Sequence, residues 1–235
     1  MKFYIWLRTT LTILIPGSMG GILVLLYQLT GGFRIHGYWR LIYYMFAYQC
    51  RILVTNHISM LEPALFAFMF WPWNIISKRF FMWSMPHKSL LKEKYHWIFD
   101  LGRAIPVERG RDIIAAFNRL EDLVRKGETA VLHPEGKRKS TGDPADLIHL
   151  GERSVLPMTD KIPRIAYEVG AWIIPIYIVG TDEVLPRNKA WTNPFRARVH
   201  FYVGQPYRPT WENRANWQTE IEQAILTAGY RPGSS

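Results

Sequence analysis

Short apolar segments alternate with amphipathic ones along most of this 235-residue chain, and this alternation constrains its fold more than any other feature. The segments that resemble strands are Ile52–Thr55, Asn74–Ser77, Ala104–Val107, Thr129–His133, Ile173–Val179 and Arg198–Val203. The segments with helical character are Ser59–Phe70, Asp112–Lys126, Pro163–Val169 and Trp211–Thr227. This pattern predicts an α/β fold with a mixed, largely parallel sheet flanked by helices.

An uncharged apolar run, Leu11–Leu29, precedes the α/β region. Its length is close to the ~20 residues that cross the core of a bilayer. Pro16 and Gly17 lie within the run, where they kink or interrupt a helix. The run therefore predicts an N-terminal membrane-embedded segment, either one kinked span or a helical hairpin that enters one leaflet. We accordingly expect residues 1–32 to form this segment and residues 33–235 to form the α/β domain.

The net charge of +10 predicts an anionic partner, either nucleic acid, an acidic membrane face or an anionic substrate. None of the zinc-ligand or aromatic signatures of common nucleic-acid modules is present, so membrane lipids are favoured over nucleic acid. The aromatic content of 14% is consistent with a membrane interface. The single cysteine, Cys50, excludes an internal disulfide, and its place beside an apolar strand predicts a small buried residue.

The first candidate site is the segment Asn56–Pro63, which directly follows a predicted buried strand. His57 should emerge at the carboxyl end of that strand, where α/β sheets bind ligands. A neutral imidazole there can accept a proton from a substrate hydroxyl, and a carboxylate can orient the ring. Glu62 can meet His57 only if His57 lies on the loop and Glu62 in the first helical turn. Ser59 and Glu62 also match a capping box, so the alternative is that Glu62 only caps a helix.

A second motif, His133–Ser140, follows the strand that ends near His133. Gly136 lets main-chain N–H groups approach an anion, and Lys137 and Arg138 add positive charge where a phosphate would lie. The alternative is an ordinary solvated basic turn.

Taken together, these motifs resemble the lysophospholipid acyltransferase family typified by bacterial 1-acylglycerol-3-phosphate acyltransferases. That family carries an Asn-His-x4-Asp block, a block ending in Arg, a Phe-Pro-Glu-Gly-Thr-Arg-Ser block and a Val-Pro-Val-like strand, in this order. The matching segments here are Asn56–Pro63, Gly102–Arg109, Pro134–Arg138 and Ile174–Ile176. The resemblance covers about residues 51–180.

The resemblance implies that the chain transfers a fatty acyl group from acyl-CoA or acyl carrier protein to the hydroxyl of a lysophospholipid, in phospholipid biosynthesis. It implies that His57 is the base and Glu62 its orienting acid. The residues that it assigns to the acceptor site are Arg109, Glu135, Gly136 and Arg138. Lys78 matches a lysine that often follows the second strand in the family, and the alternative is an exposed lysine at the end of a strand. Lys137 is a further candidate for substrate binding, and the alternative is that it only attracts the protein to anionic headgroups. No metal or other cofactor is implied. The expected location is the membrane, on the cytoplasmic face of a bacterial inner membrane.

The chain departs from the family pattern at four positions. Glu62 stands where the family has Asp, His133 replaces Phe, Lys137 replaces Thr and Pro163 replaces Gly. These changes leave other acceptors open, namely glycerol-3-phosphate, an amino lipid or a glycolipid. A non-catalytic lipid-binding protein and a thioester or phospholipid hydrolase are the alternatives from other classes.

Overall fold

The computed structural model describes residues 18–59, 62–70, 73–80, 82–88, 104–108, 113–138, 142–185 and 197–230. The strands are β1 (Phe33–His36), β2 (Arg51–Thr55), β3 (Met82–Trp83), β4 (Thr129–Leu132), β5 (Ile148–Leu150), β6 (Arg153–Val155), β7 (Trp172–Val179) and β8 (Val199–Val203). The α-helices are α1 (Ser18–Leu29), α2 (Tyr38–Ala47), α3 (Glu62–Met69), α4 (Trp73–Ile76), α5 (Ile113–Arg125), α6 (Lys161–Val169), α7 (Thr181–Val184) and α8 (Trp217–Leu226). Short 3₁₀ turns cover Lys78–Phe80, Pro144–Asp146 and Arg214–Asn216.

Six of these strands form one mixed sheet in the order β1-β8-β7-β2-β4-β3. Within it only the β7–β8 pair is antiparallel, and the other four pairs are parallel. Strands β5 and β6 form a separate antiparallel hairpin. The predicted α/β fold with a mixed, largely parallel sheet is therefore confirmed.

Both faces of the sheet are covered by helices, which explains why the central strands are almost continuously apolar. Leu53 of β2 packs on the face that is covered by α1, α2 and α3. Its neighbours Ile52 and Val54 pack on the opposite face, against α5, α6 and α8. Strand β2 is consequently buried along its whole length, and it provides a rigid base for the residues that follow it.

Several predicted elements differ from the structure. The predicted strand Asn74–Ser77 is wrong, because its first three residues lie in helix α4. Ser77 follows the helix directly, and its N–H donates to the Trp73 carbonyl at 2.9 Å. Four apolar or small residues do not distinguish a strand from one helical turn by periodicity. Ala104 and Val107 make isolated parallel bridges to Ser84 and His87 instead of a continuous strand. The last helix begins at Trp217 and not at Trp211.

The apolar N-terminal run is helical from Ser18 to Leu29, and its residues before Ser18 lie outside the described part of the chain. Val24 and Tyr27 of α1 are buried in the core, and the Tyr27 hydroxyl donates to the Ala197 carbonyl at 2.6 Å. Within the described ranges, no helix has the length and apolar character needed to cross a membrane. Cys50 is a free thiol and is partly exposed, so the prediction that it is buried is wrong.

Candidate active site

Strands β2, β4 and β7 are mutually aligned and parallel, so the residues that follow them meet at one edge of the sheet. His57 lies two residues after β2, His133 directly after β4, and Thr181 two residues after β7. This edge is where open α/β sheets form their ligand crevices. The fold therefore brings together side chains that are more than 100 residues apart in the sequence.

The side chain of Asn56 fastens the end of β2 to β7. Its Nδ2 donates to the Ile178 carbonyl at 2.8 Å, and its Oδ1 accepts from the Ile178 N–H at 2.7 Å. Asn56 is almost fully buried, and this pair of bonds satisfies the amide with main-chain groups. Asn56 therefore holds the start of the loop that carries His57.

Glu62 uses its two carboxylate oxygens for different tasks. Its Oε2 lies 2.7 Å from Nδ1 of His57. Its Oε1 accepts hydrogen bonds from the main-chain N–H groups of Ile58, at 2.9 Å, and Ser59, at 2.7 Å. Glu62 therefore makes both contacts that the sequence suggested. Its Oε1 caps the main chain before the helix, and its Oε2 is the partner of His57.

Burial lowers the pKa of His57 to about 4, and the nearby Arg138 guanidinium acts in the same direction. The ring is therefore neutral near pH 7. Its Nδ1 is bonded to Glu62, and its side chain is 18% exposed. With Nδ1 as the donor, Nε2 is left with a lone pair that can accept a proton.

Burial raises the pKa of the Glu62 carboxyl, which has no exposed surface. Several neighbours oppose this effect, namely the His133 ring, the N–H groups of Ser59 and Ile58, and the Thr181 hydroxyl. Hydrogen bonds donated to a carboxylate favour its charged form. The loop thus supplies the donors that an ionised Glu62 needs inside the protein.

His133 lies against the face of His57. The two rings are stacked with centroids 4.2 Å apart and planes 17° apart. The His133 Nδ1 is 2.7 Å from the Thr55 hydroxyl. Burial lowers the pKa of His133 to about 4, and repulsion from His57 in its protonated form acts in the same direction. His133 is therefore a second neutral imidazole, held by Thr55, which restricts the orientation of the His57 ring.

Within the described residues, His57, Glu62 and His133 place one donor atom each within 4.8 Å of one another. This residue set occurs in zinc and non-haem iron sites. The two rings are nearly parallel, however, so their in-plane lone pairs do not converge on one point. The site fits a hydrogen-bonded acid–base pair better than a metal centre.

Glu135 stabilises the main chain of the loop that carries His57. One of its oxygens accepts from the His57 N–H at 2.8 Å, and the other accepts from the Leu156 N–H at 2.9 Å. Both bonds run to main-chain groups, and Glu135 is buried. Its carboxylate therefore anchors the backbone of His57. The substrate-binding role that the sequence predicted for Glu135 stays a prediction.

The other predicted binding residues are distributed unevenly. Arg138 lies close enough to His57 to lower its pKa, and Gly136 and Lys137 are exposed in the turn before it. Gly136 has a φ of 65°, and among the described residues beyond its chain neighbours no atom lies within 4 Å of the place where a Cβ would stand. Arg109 lies outside the described residues.

The main chain at Lys78 does not lie at this edge of the sheet. Lys78 begins a 3₁₀ turn whose next residue, Arg79, accepts hydrogen bonds through its carbonyl from Arg51 and Thr129. These two residues begin β2 and β4, so the main chain of this turn lies at the amino ends of the strands, opposite His57.

Thr181 belongs to the site, although it was not among the predicted site residues. It follows Gly180, which has a φ of 83° and would place a Cβ 2.1 Å from the Arg198 carbonyl oxygen. Only glycine fits this turn. A glycine directly after a predicted buried strand, followed by a hydroxyl residue, was the available signal.

A buried carboxylate that orients a neutral imidazole at the edge of an α/β sheet is an arrangement suited to general-base catalysis. The family model that matches the chain is that of the acyltransferases, over residues 47–179. This match covers more than half of the chain, which therefore belongs to the acyltransferase family.

Among solved structures, the chain resembles the 1-acyl-sn-glycerophosphate (LPA) acyltransferase PlsC from Thermotoga maritima, with a TM-score of 0.62 and 16% sequence identity. The match covers 98% of this chain and 89% of PlsC. At this identity the likeness establishes a shared fold. A comparison with curated protein sequences gave no significant match.

Replacing Glu135 by Gln should destabilise the protein by about 2 kcal/mol, because the amide NH₂ would face one of the two N–H groups that the carboxylate now accepts. Chemical denaturation measures this change in the free energy of unfolding. Glu108→Gln is the matched control, since Glu108 forms an exposed pair with Lys88 and its loss should change stability by less than about 0.5 kcal/mol. Equal effects of the two substitutions would contradict the anchoring role of Glu135.

Proposed function

We propose that this protein transfers a fatty acyl group from an acyl thioester, acyl-CoA or acyl carrier protein, to the free hydroxyl of a lysophospholipid such as lysophosphatidic acid. The observation that carries the proposal is the 2.7 Å contact between His57 and Glu62 at the carboxyl edge of the sheet. Membership of the acyltransferase family and the fold shared with PlsC, named as an LPA acyltransferase, support it.

The acceptor hydroxyl donates its proton to Nε2 of His57 as its oxygen attacks the thioester carbonyl. Glu62 stabilises the imidazolium that forms, through the bond to Nδ1. The tetrahedral intermediate then collapses, the C–S bond breaks, and the imidazolium returns the proton to the leaving thiolate. The substrate itself supplies the nucleophile, so no covalent enzyme intermediate is required.

The turn after β4 supplies positive charge beside the base. Arg138 is near enough to His57 to oppose its protonation, and Lys137 is exposed in the same turn. A lysophospholipid phosphate that pairs with Arg138 would bring its hydroxyl towards Nε2 of His57. Arg109 joins this phosphate site in the proposal because the matching arginine of the family binds substrate.

The proposal includes binding to the surface of a membrane, because both substrates carry long acyl chains. Helices α1 and α2 cover the same face of the sheet and expose large apolar side chains, among which Leu29 is 75% exposed and Trp39 is 72% exposed. Arg34 and Arg40 are exposed close by in the sequence. Apolar and aromatic side chains beside arginines suit an anionic lipid interface.

Replacing His57 by Ala should reduce turnover by about 10²- to 10⁴-fold, because the base that takes the hydroxyl proton is removed. The measurement is transfer of a labelled acyl group from acyl-CoA or acyl carrier protein to lysophosphatidic acid in mixed micelles. His149→Ala, at an exposed position of β5, is the matched control and should retain full activity.

The same assay separates the alternative functions. Glycerol-3-phosphate and lysolipids with other headgroups test the acceptor, and a reaction without acceptor that releases free fatty acid would identify a hydrolase. Undiminished turnover in the His57→Ala variant would rule out the mechanism, and bound lipid without turnover in the wild type would indicate a binding protein.

The acid limb of the pH profile of kcat/KM should lie at lower pH than the usual pKa of histidine would give. A protonated His57 cannot act as a base, and its pKa of about 4 means that the ring stays neutral well below the usual histidine value of about 6.5. The acid limb of kcat/KM should therefore have its midpoint between about pH 4 and 5. In Arg138→Met the limb should move to higher pH, because a cation that opposes protonation is lost. A midpoint near 6.5 in the wild type would contradict this electrostatic picture.

Replacing both Leu29 and Trp39 by Ser should weaken binding to vesicles containing an anionic phospholipid by about tenfold or more, because apolar area that enters the interface is lost. Vesicle sedimentation measures the effect. Ile114→Ser is the matched control, since Ile114 is 73% exposed but lies on α5, which covers the other face of the sheet. Equal loss in both variants would place the membrane surface elsewhere.

A further inference from the structure

We propose that Thr181 is a positioning residue for catalysis, which keeps the Glu62 carboxylate ionised and aligned while His57 carries the proton. This inference rests on the function proposed above, and it concerns a residue that matches none of the recognised sequence motifs. The geometry that supports it lies in the environment of a single carboxylate oxygen.

The Oε1 atom of Glu62 accepts three hydrogen bonds. Two come from the main-chain N–H groups of Ile58 and Ser59, and the third comes from the Thr181 hydroxyl at 3.1 Å. Thr181 and Glu62 are both completely buried, so water does not replace this hydroxyl in the structure. Among these three donors, Thr181 alone uses a side chain, and it reaches Glu62 across 119 residues of sequence.

The conformation of the chain after β7 places this hydroxyl beside Glu62. Gly180 makes a turn that other residues cannot adopt, and Thr181 begins α7 directly behind it. Two further contacts tie the same stretch to the catalytic loop: Asn56 pairs with the main chain of Ile178, and the Ser59 hydroxyl donates to the Leu185 carbonyl at 3.1 Å. The segment that carries Thr181 is therefore fixed to the catalytic loop on both sides of this residue.

The reaction makes this donor important. When His57 takes the acceptor proton, an ion pair forms with Glu62 in a buried site, and the pair is stable only while Glu62 remains ionised. Burial favours the neutral carboxyl, and a donated hydrogen bond favours the charged one. Among the described residues, the other charged or titratable groups beside the pair are His133, Arg138 and Glu135, whose carboxylate accepts from the His57 N–H. Asp182 and Glu183, beside Thr181 on α7, are exposed.

The test compares Thr181→Val with Thr181→Ser. Valine keeps the branched shape and removes the hydroxyl, so kcat should fall about tenfold while KM changes little. The first protonation of the His57–Glu62 pair should move up by about one pH unit, because the ionised carboxylate has lost a donor. Thr181→Ser retains the hydroxyl and should restore both values to near those of the wild type.

Thr129→Val is the matched control. Thr129 is also fully buried, and its hydroxyl donates to the Arg79 carbonyl at 2.6 Å at the opposite end of the sheet. This variant loses a comparable hydrogen bond, so it should be similarly destabilised but should keep the wild-type pH profile. A purely structural role for Thr181 would make the two valine variants behave alike.

Two readouts separate failure of this inference from failure of the proposed function. Titration of ¹⁵N-histidine-labelled protein by NMR, with His57 assigned from the His57→Ala spectrum, reports the first protonation step without any substrate. An unshifted titration in Thr181→Val overturns the inference, whether or not the wild type is active. A wild type that transfers no acyl group overturns the proposed function, and the NMR result then still decides whether Thr181 controls the pair.

Discussion

The buried carboxylate of Glu62 is the constraint on which the rest of the site depends. An ionised carboxylate without water is costly unless donors surround it, and four converge here, from His57, Ile58, Ser59 and Thr181. Three of these donors belong to one loop, and the fourth arrives from the end of another strand. The loop conformation, the start of α3 and the turn after β7 therefore all contribute to stabilising the Glu62 carboxylate.

The sheet topology makes this convergence possible. Because β2, β4 and β7 are parallel neighbours, the loops that follow their carboxyl ends meet at one edge of the sheet, although the strands are far apart in the sequence. Asn56 joins the first loop to β7, and Glu135 joins it to the turn after β4 and to the chain near Leu156. The His57 backbone is thus held by contacts to two other parts of the sheet edge. This preorganisation is what the proposed general-base mechanism requires.

The sequence was sufficient for those features in which chemistry and local pattern agree. Strands β2, β4 and β7 are mostly apolar, and the polar residues that follow two of them, His57 and His133, stand out against that background. Thr181 was not predicted, because its partner is 119 residues away and a threonine after a glycine is an ordinary turn. Helix α4 was mistaken for a strand because one turn of Ile and Trp residues carries no periodicity. The hydrogen bonds of Glu135 to main-chain groups could not be predicted either, because the motif His133–Ser140 is equally compatible with a phosphate-binding turn.

Two of the departures from the family pattern, at positions 62 and 133, are explained by the proximity of the two side chains. Glu62 and His133 stand where the family has Asp and Phe, and in the structure these two side chains are neighbours, with the His133 Nδ1 4.0 Å from the Glu62 Oε2. A phenylalanine would present only carbon atoms to that oxygen, whereas the imidazole presents a polar edge and keeps a flat ring against His57. The longer Glu side chain has one more methylene to order, and in this structure both of its carboxylate oxygens accept hydrogen bonds. The substitution at 133 therefore adds polarity beside the carboxylate and retains the stacking surface, so each change makes the other easier to accommodate.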